Sequence, residues 1–250
     1  MKKICLVLTF LIAGGIAFGQ DVDTLLQEAS VLENGMKEND ALEKYKEILR
    51  IQPMQIVAMY KCSELCGSIG NREKEEAKKV DFYNASRTYA ETALKIDSGN
   101  SGANAAMAIA MGRMALIKKG KEKVEFVKDI KLYSDRALAI EPNNAKALFV
   151  LGKWNYEVSS LNFVEKAAIK VLYGGMPKAS YEDAINYYEK VKTISPWVLL
   201  NYLELAKAYV ANHQSDKAIE NLERMLKLPY RTEDDAKHKE QARQLLASLQ

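Results

Sequence analysis

Proline is scarce in this chain, with 5 in 250 residues, and histidine is scarcer, with 2. Few prolines leave long stretches free for uninterrupted helix, because proline removes a hydrogen bond from the helical ladder and clashes with the preceding turn. His213 falls in a turn between helical patterns and His238 in the last helical pattern. Neither has the Ser, Cys or Asp partners that a nucleophilic mechanism would use. No glycine-rich phosphate loop occurs. No dense run of Lys or Arg occurs either, and the formal charge of +3 counts Lys2 and Lys3. The rest of the chain is nearly neutral, which excludes the basic face that nucleic-acid binding needs. Past the first segment, no stretch approaches the roughly 20 apolar residues of a membrane span. The single Asn-Gly pair, Asn34-Gly35, lies between two helical patterns rather than between alternating strands. What remains is an all-α composition rich in Ala, Leu, Lys and Glu, with no cofactor or metal set and no enzyme chemistry.

The first segment is different. Met1-Lys2-Lys3 is a short basic start, Ile4 to Ala13 is apolar, and Ala17-Phe18-Gly19 places small residues where a signal peptidase reads. This predicts a secretory leader over 1–19, a mature domain over 20–250 and export to the periplasm.

The mature region repeats a two-helix pattern. Near the C-terminus, Tyr202, Leu205-Ala206 and Tyr209 are followed by Ala218, Leu222, Met225-Leu226 and Pro229. Upstream, Leu148 and Leu151-Gly152 pair with Ala184, Tyr188 and Pro196, and at the front Leu25, Ala29 and Leu32 pair with Ala41, Tyr45 and Pro53. Two further exits from a second helix end at Ser98 and Pro142. Small residues stand where helices must touch, and aromatics fill the space between pairs. The pattern resembles the tetratricopeptide repeat (TPR), with most units longer than the usual ~34 residues. It implies a right-handed superhelical solenoid of about five helix pairs, closed by a capping helix after Thr232. Thr232 with Asp235, Ser180 with Asp183 and Asp40 with Glu43 read as helix starts.

One stretch is more specific. It runs Leu151-Gly152-Lys153-Trp154-Asn155-Tyr156-Glu157-Val158-Ser159, then Tyr173-Gly174-Gly175-Met176-Pro177, then Ser180-Tyr181-Glu182-Asp183-Ala184. It resembles the signature of the regulator of microtubule dynamics family, and the closing helix is similar as well. The resemblance covers at least Ile130 to Leu249 and implies a helical repeat domain. In some members that domain holds phospholipid at organelle contacts. An exported, bacterial relative would keep the groove without the microtubule work.

Stacked helix pairs present their first helices on a concave face. Reading each first helix at matching positions gives groove candidates Tyr60 and Glu64, Ala105 and Ile109, Phe149 and Lys153, and Leu203 and Lys207, with Tyr156 one turn on. This set is mostly apolar with two lysines, unlike a clamp for a peptide carboxylate. The expected partner is a protein segment, with phospholipid or another apolar ligand as the alternative. An insertion over 158–180 carries Leu161, Val164, Ala168 and Leu172 on one helical stripe. Two readings stand for it: a lid across the groove, or an extension of the fourth unit's core. Cys62 and Cys66 share a helix face without a histidine to complete a metal site, and they fall in core-facing slots of their unit. They read as buried thiols, with a disulfide within the helix as the lesser reading.

Overall fold

Several helices start where a side chain satisfies a free amide of the first turn. In the computed structural model, which describes residues 22–250, the Asn100 side chain accepts from the Ala103 N–H at 2.9 Å. Asn144 accepts from Ala147 at 3.0 Å, and the Ser180 hydroxyl accepts from Asp183 at 3.0 Å. These caps fix the entries of helices whose lengths follow from the apolar spacing. The twelve helices among the described residues are α1 (22–34), α2 (Glu38–Ile51), α3 (Ile56–Arg72), α4 (Glu76–Ile96), α5 (Ser101–Ile117) and α6 (Gly120–Ile140), then α7 (Ala145–Ser160), α8 (Phe163–Tyr173), α9 (Tyr181–Ile194), α10 (Leu199–Ala211), α11 (Ser215–Lys227) and α12 (Asp235–Leu249). The described residues contain no strand, and none of their helices is long and apolar enough to cross a membrane. The leader expected over 1–19 lies outside the described residues.

Five pairs form: α1 with α2, α3 with α4, α5 with α6, α7 with α9, and α10 with α11. Each second helix also packs on the first helix of the next pair, and α12 caps the last pair against α10 and α11. The solenoid of five units and a cap is therefore present. At its centre α5 is hemmed in by α3, α4, α6 and α7. That explains its composition: Ala103, Ala105, Ala106, Ala108 and Ala110 are all fully buried, and only methyl side chains let four neighbours approach one backbone so closely. The fourth unit shows the same economy. A Cβ on Gly152 would stand 2.6 Å from the Tyr188 ring, so the bare glycine is the seat of a fully buried tyrosine.

Two helix starts differ from expectation. α2 begins at Glu38 rather than after Asp40, because Met36 takes a left-handed conformation (φ 56°) and turns the chain early. α12 begins at Asp235, and Thr232 is not its cap. Instead the Asp235 carboxylate accepts from the Arg231 and Thr232 N–H groups at 2.7 and 2.9 Å, bracing the turn that precedes the helix.

Cys62 and Cys66 face the first core, beside Ala58, Leu65 and Tyr45, and both are free thiols. Burial pushes the Cys62 thiol up to about 12 and Cys66 up to about 11. Thiolate is then negligible near neutral pH. Alkylation of the native full chain with iodoacetamide, mapped by peptide mass, is expected to spare both residues, and denaturant is expected to expose them. Labelling of either in the native protein would place it outside the core.

Candidate functional site

The first helices touch in sequence, α3 to α5, α5 to α7 and α7 to α10, while second helices make no comparable contact with one another. A row that touches along one side and splays along the other is curved, and the touching row is its inner face. One ion pair confirms the direction of the bend. Lys146 Nζ on α7 reaches Glu64 on α3, across α5, the helix between them. Such a pair forms on the side toward which the row curves.

Other charges extend this line. On α3, Lys61 binds Glu33 of α1 at 2.8 Å, and the Tyr45 hydroxyl donates to the same carboxylate at 3.2 Å. Further along, Glu204 of α10 receives Lys153 of α7 and Lys207 of its own helix, each at 2.7 Å. Glu204 is only 4% exposed. Burial by itself would raise its pKa, but the two ammonium groups outweigh that and hold the carboxyl below its usual value. Lys153 shows the mirror image: burial disfavours its charge, and Glu204 and Glu157 more than compensate.

The expected groove residues fall into three groups. Tyr60, Ile109, Lys153 and Lys207 stand half-buried on the inner row, Tyr60 with its ring seated over Gly102. Phe149 and Tyr156 are half-buried but turned into packing: Phe149 lies 5.7 Å from the Tyr188 ring, and Tyr156 lies 5.6 Å from Tyr181. Leu203 is fully buried in the C-terminal core, as Ala105 is in the central one, so neither side chain is open to a ligand. With Phe149, Leu203 and Ala105 withdrawn, the inner surface is lined by paired charges, tyrosine and Ile109 rather than by the mostly apolar set expected. Glu33, Lys61, Lys146 and Glu204 were not legible as site residues. The short spacings of Lys61 with Glu64, Lys153 with Glu157 and Glu204 with Lys207 hinted at pairs within a helix, whereas Lys61–Glu33, Lys146–Glu64 and Lys153–Glu204 bridge different units.

The insertion neither covers this face nor joins the fourth core. α8 rests on α6, an outer-row helix, with Lys128 Nζ donating to the Tyr173 carbonyl at 2.9 Å. None of its residues is buried. Leu161 is half-buried, and Val164, Ala168 and Leu172 point to solvent. The stripe that suggested a lid is real, but the short turns at Leu161 and Gly174 direct it along the outside of the array.

The family model described as Regulator of microtubule dynamics protein 1-3 matches residues 25–250, so the likeness reaches well past the signature and through the N-terminal units. The chain is 27% identical over 232 residues to regulator of microtubule dynamics protein 1 of Bos taurus, covering 90% of this chain and 71% of that protein. It is 24% identical over 234 residues to regulator of microtubule dynamics protein 2 of Homo sapiens, covering 92% of this chain and 56% of the relative. The mouse protein 1 is matched over 59% of its length, so the chain spans little more than half of several of these relatives. Among solved structures, a thermophilic TPR protein of Thermus thermophilus superposes with a TM-score of 0.61 at 14% identity, covering 91% of this chain and 98% of that one. At that identity the likeness concerns the fold.

Proposed function

The chain belongs to the regulator of microtubule dynamics family, and from that premise we propose that it is a non-enzymatic scaffold that holds a protein segment along its inner helix row. One observation carries the reading: the inner face bears charged and tyrosyl side chains from Glu33 to Lys207, drawn from four of the five first helices. A polypeptide offers backbone amides, carbonyls and side-chain charges that can exchange with such pairs at little net cost, whereas an acyl chain would have to desolvate them. Phospholipid in the groove, the alternative implied by the family resemblance, has less support on that ground. The compartment we propose is the periplasm, on the strength of the leader-like residues 1–19. No enzyme chemistry is proposed, because the carboxylates and lysines of the inner row are held in ion pairs with one another.

The test is recovery of a partner from envelope extract by the full chain and by a Tyr60→Ala/Lys146→Glu variant. Tyr60 and Lys146 are reachable from solvent, and Lys146→Glu sets a second carboxylate against Glu64. The parent is expected to retain one specific protein and the variant to bind it at least about tenfold more weakly, a typical loss for a central contact. Equal retention by both would place the binding surface elsewhere.

A further inference from the structure

Helix α8 is an amphipathic helix with nothing packed on its apolar side. Phe163 is 85% exposed, Val171 83%, Val164 74% and Leu172 66%. A helix of 11 residues held only along one edge by α6 would ordinarily bury such residues or replace them with polar ones. The helix is nonetheless well made. Its N-terminus carries a full capping box between Asn162 and Glu165, and its C-terminus ends on Gly174 in the left-handed region at φ 75°. The sequence therefore specifies a helix and specifies that its apolar face stays outside.

The surroundings indicate what covers it. Lys170 and Lys178 stand exposed on and after α8. Beside its C-terminal end lies the α5–α6 turn, where a Cβ on Gly120 would be 3.7 Å from the Tyr173 hydroxyl. That turn projects Lys119, Lys121 and Lys123 into solvent, and Leu116 just before it is 65% exposed. None of these five lysines is ion-paired among the described residues, whereas of the acids nearby in sequence (Glu122, Glu125, Asp129, Glu165, Glu182 and Asp183) Glu122 is held by Lys118 and Glu165 by the capping box. In a chain that is otherwise nearly neutral, this is a concentration of free positive charge around an apolar helix. A second copy of the chain would bring lysines against lysines. An 11-residue helix, about 16 Å long, also falls short of the roughly 800 Å² per partner that a stable protein interface needs. A surface that is apolar below and negatively charged above satisfies both features at once.

We propose that α8 and the α5–α6 turn form a membrane-docking edge that lays Phe163, Val164, Val171 and Leu172 into the interface of an anionic phospholipid bilayer, with the lysines on the headgroups. This edge is on the outer row, so docking leaves the inner face free for a partner, and it stands or falls independently of that reading.

The experiment is co-sedimentation of the full chain with vesicles of phosphatidylcholine containing phosphatidylglycerol, and with phosphatidylcholine alone. A Val171→Asp/Leu172→Asp variant and a Lys119→Glu/Lys121→Glu/Lys170→Glu variant are measured beside the parent. All three share residues 1–21, so binding through those residues is common to them and cancels in the comparison. Since α8 has no buried side chain, the variants should melt like the parent. The parent is expected to bind the anionic vesicles, less tightly as salt rises, and each variant to bind at least about tenfold more weakly. A Phe163→Trp reporter should shift its emission to the blue only with anionic vesicles. Equal binding by the parent and the aspartate variant would overturn the proposal. So would binding as tight to phosphatidylcholine alone, or an aspartate variant that instead splits a dimer in light scattering.

Discussion

Gly152→Ala is expected to destabilise the protein by about 2 kcal/mol, although alanine is the better helix former by about 1 kcal/mol in such a position. The added methyl would lie 2.6 and 2.7 Å from two carbons of the Tyr188 ring. That ring cannot retreat, because it is fully buried and Phe149 lies against it. Overpacking of this kind costs roughly 1–3 kcal/mol, and the upper end applies where the neighbour is a locked aromatic. The melting temperature should fall by about 4–8 °C, given ~2–4 °C per kcal/mol for a domain of this size. Gly112→Ala is the control of opposite sign. It also lies within a helix, but its Cβ would meet only Ile130 Cδ1 at 3.9 Å, an ordinary contact. There the helix propensity should prevail and stability should rise by up to about 1 kcal/mol. A Gly152→Ala/Tyr188→Leu double variant should lose less than the sum of its parts, since the smaller residue removes the clash. Stabilisation by Gly152→Ala would show that the close approach is not the constraint it is taken to be.

The second large effect is expected at the point where the array meets itself. Arg72, the last residue of α3, holds Glu38 at 2.8 Å, Glu233 at 3.1 Å and Asp234 at 3.1 Å. Glu233 also accepts from the Glu38 N–H at 2.9 Å, so the turn before α12 caps the start of α2. One guanidinium thus ties the first and second units to the cap, across almost the whole chain length. Arg72→Ala would leave three carboxylates facing each other. Removing one member of a buried ion cluster costs about 3–5 kcal/mol. These side chains keep 12–29% exposure, so about 2 kcal/mol is the discounted expectation. Hydrogen exchange should accelerate in α2 and α12 together, because the same contact closes both.

The pH dependence has a definite sign. Burial already raises the Glu38 pKa, and Glu233 and Asp234 add to it while Arg72 opposes. In the variant that opposition is gone and the folded-state pKa rises further. A carboxylate whose folded pKa is raised favours the folded state once protonated, so the deficit should be largest at neutral pH. It should shrink as pH falls toward the carboxylate range. Arg72→Lys should fall between the two, since an ammonium keeps the charge but not the fork that reaches three carboxylates at once. A constant deficit at every pH would mean that packing, not charge, is lost.

The helices, the Ser180 cap and the five-unit order were legible in the sequence, while the starts expected at Asp40 and Thr232 were not the ones used. Apolar spacing at 3.6 residues, an Asn or Ser at the entry and a small residue opposite an aromatic all act within one or two turns. Leu151-Gly152 with Tyr188 shows this best, since the sequence slot and the physical wedge coincide. The site was less legible. Position within a first helix suggested Leu203 as a groove residue, yet it is fully buried, because a late unit packs its first helix between α9, α11 and α12. Glu204, the next residue, faces Lys153 from another unit.

The sequence by itself determined a helical repeat and a family likeness, both of which rest on short-range periodicity and motif. Only the tertiary structure decided that Glu64 reaches Lys146 across a helix, that Glu233 caps α2 from 195 residues away, and that α8 runs outside the array with its apolar face bare. Each of these depends on the curvature summed over successive units. Small rotations between neighbouring pairs add up to bring distant residues together, and no single stretch of sequence records that sum.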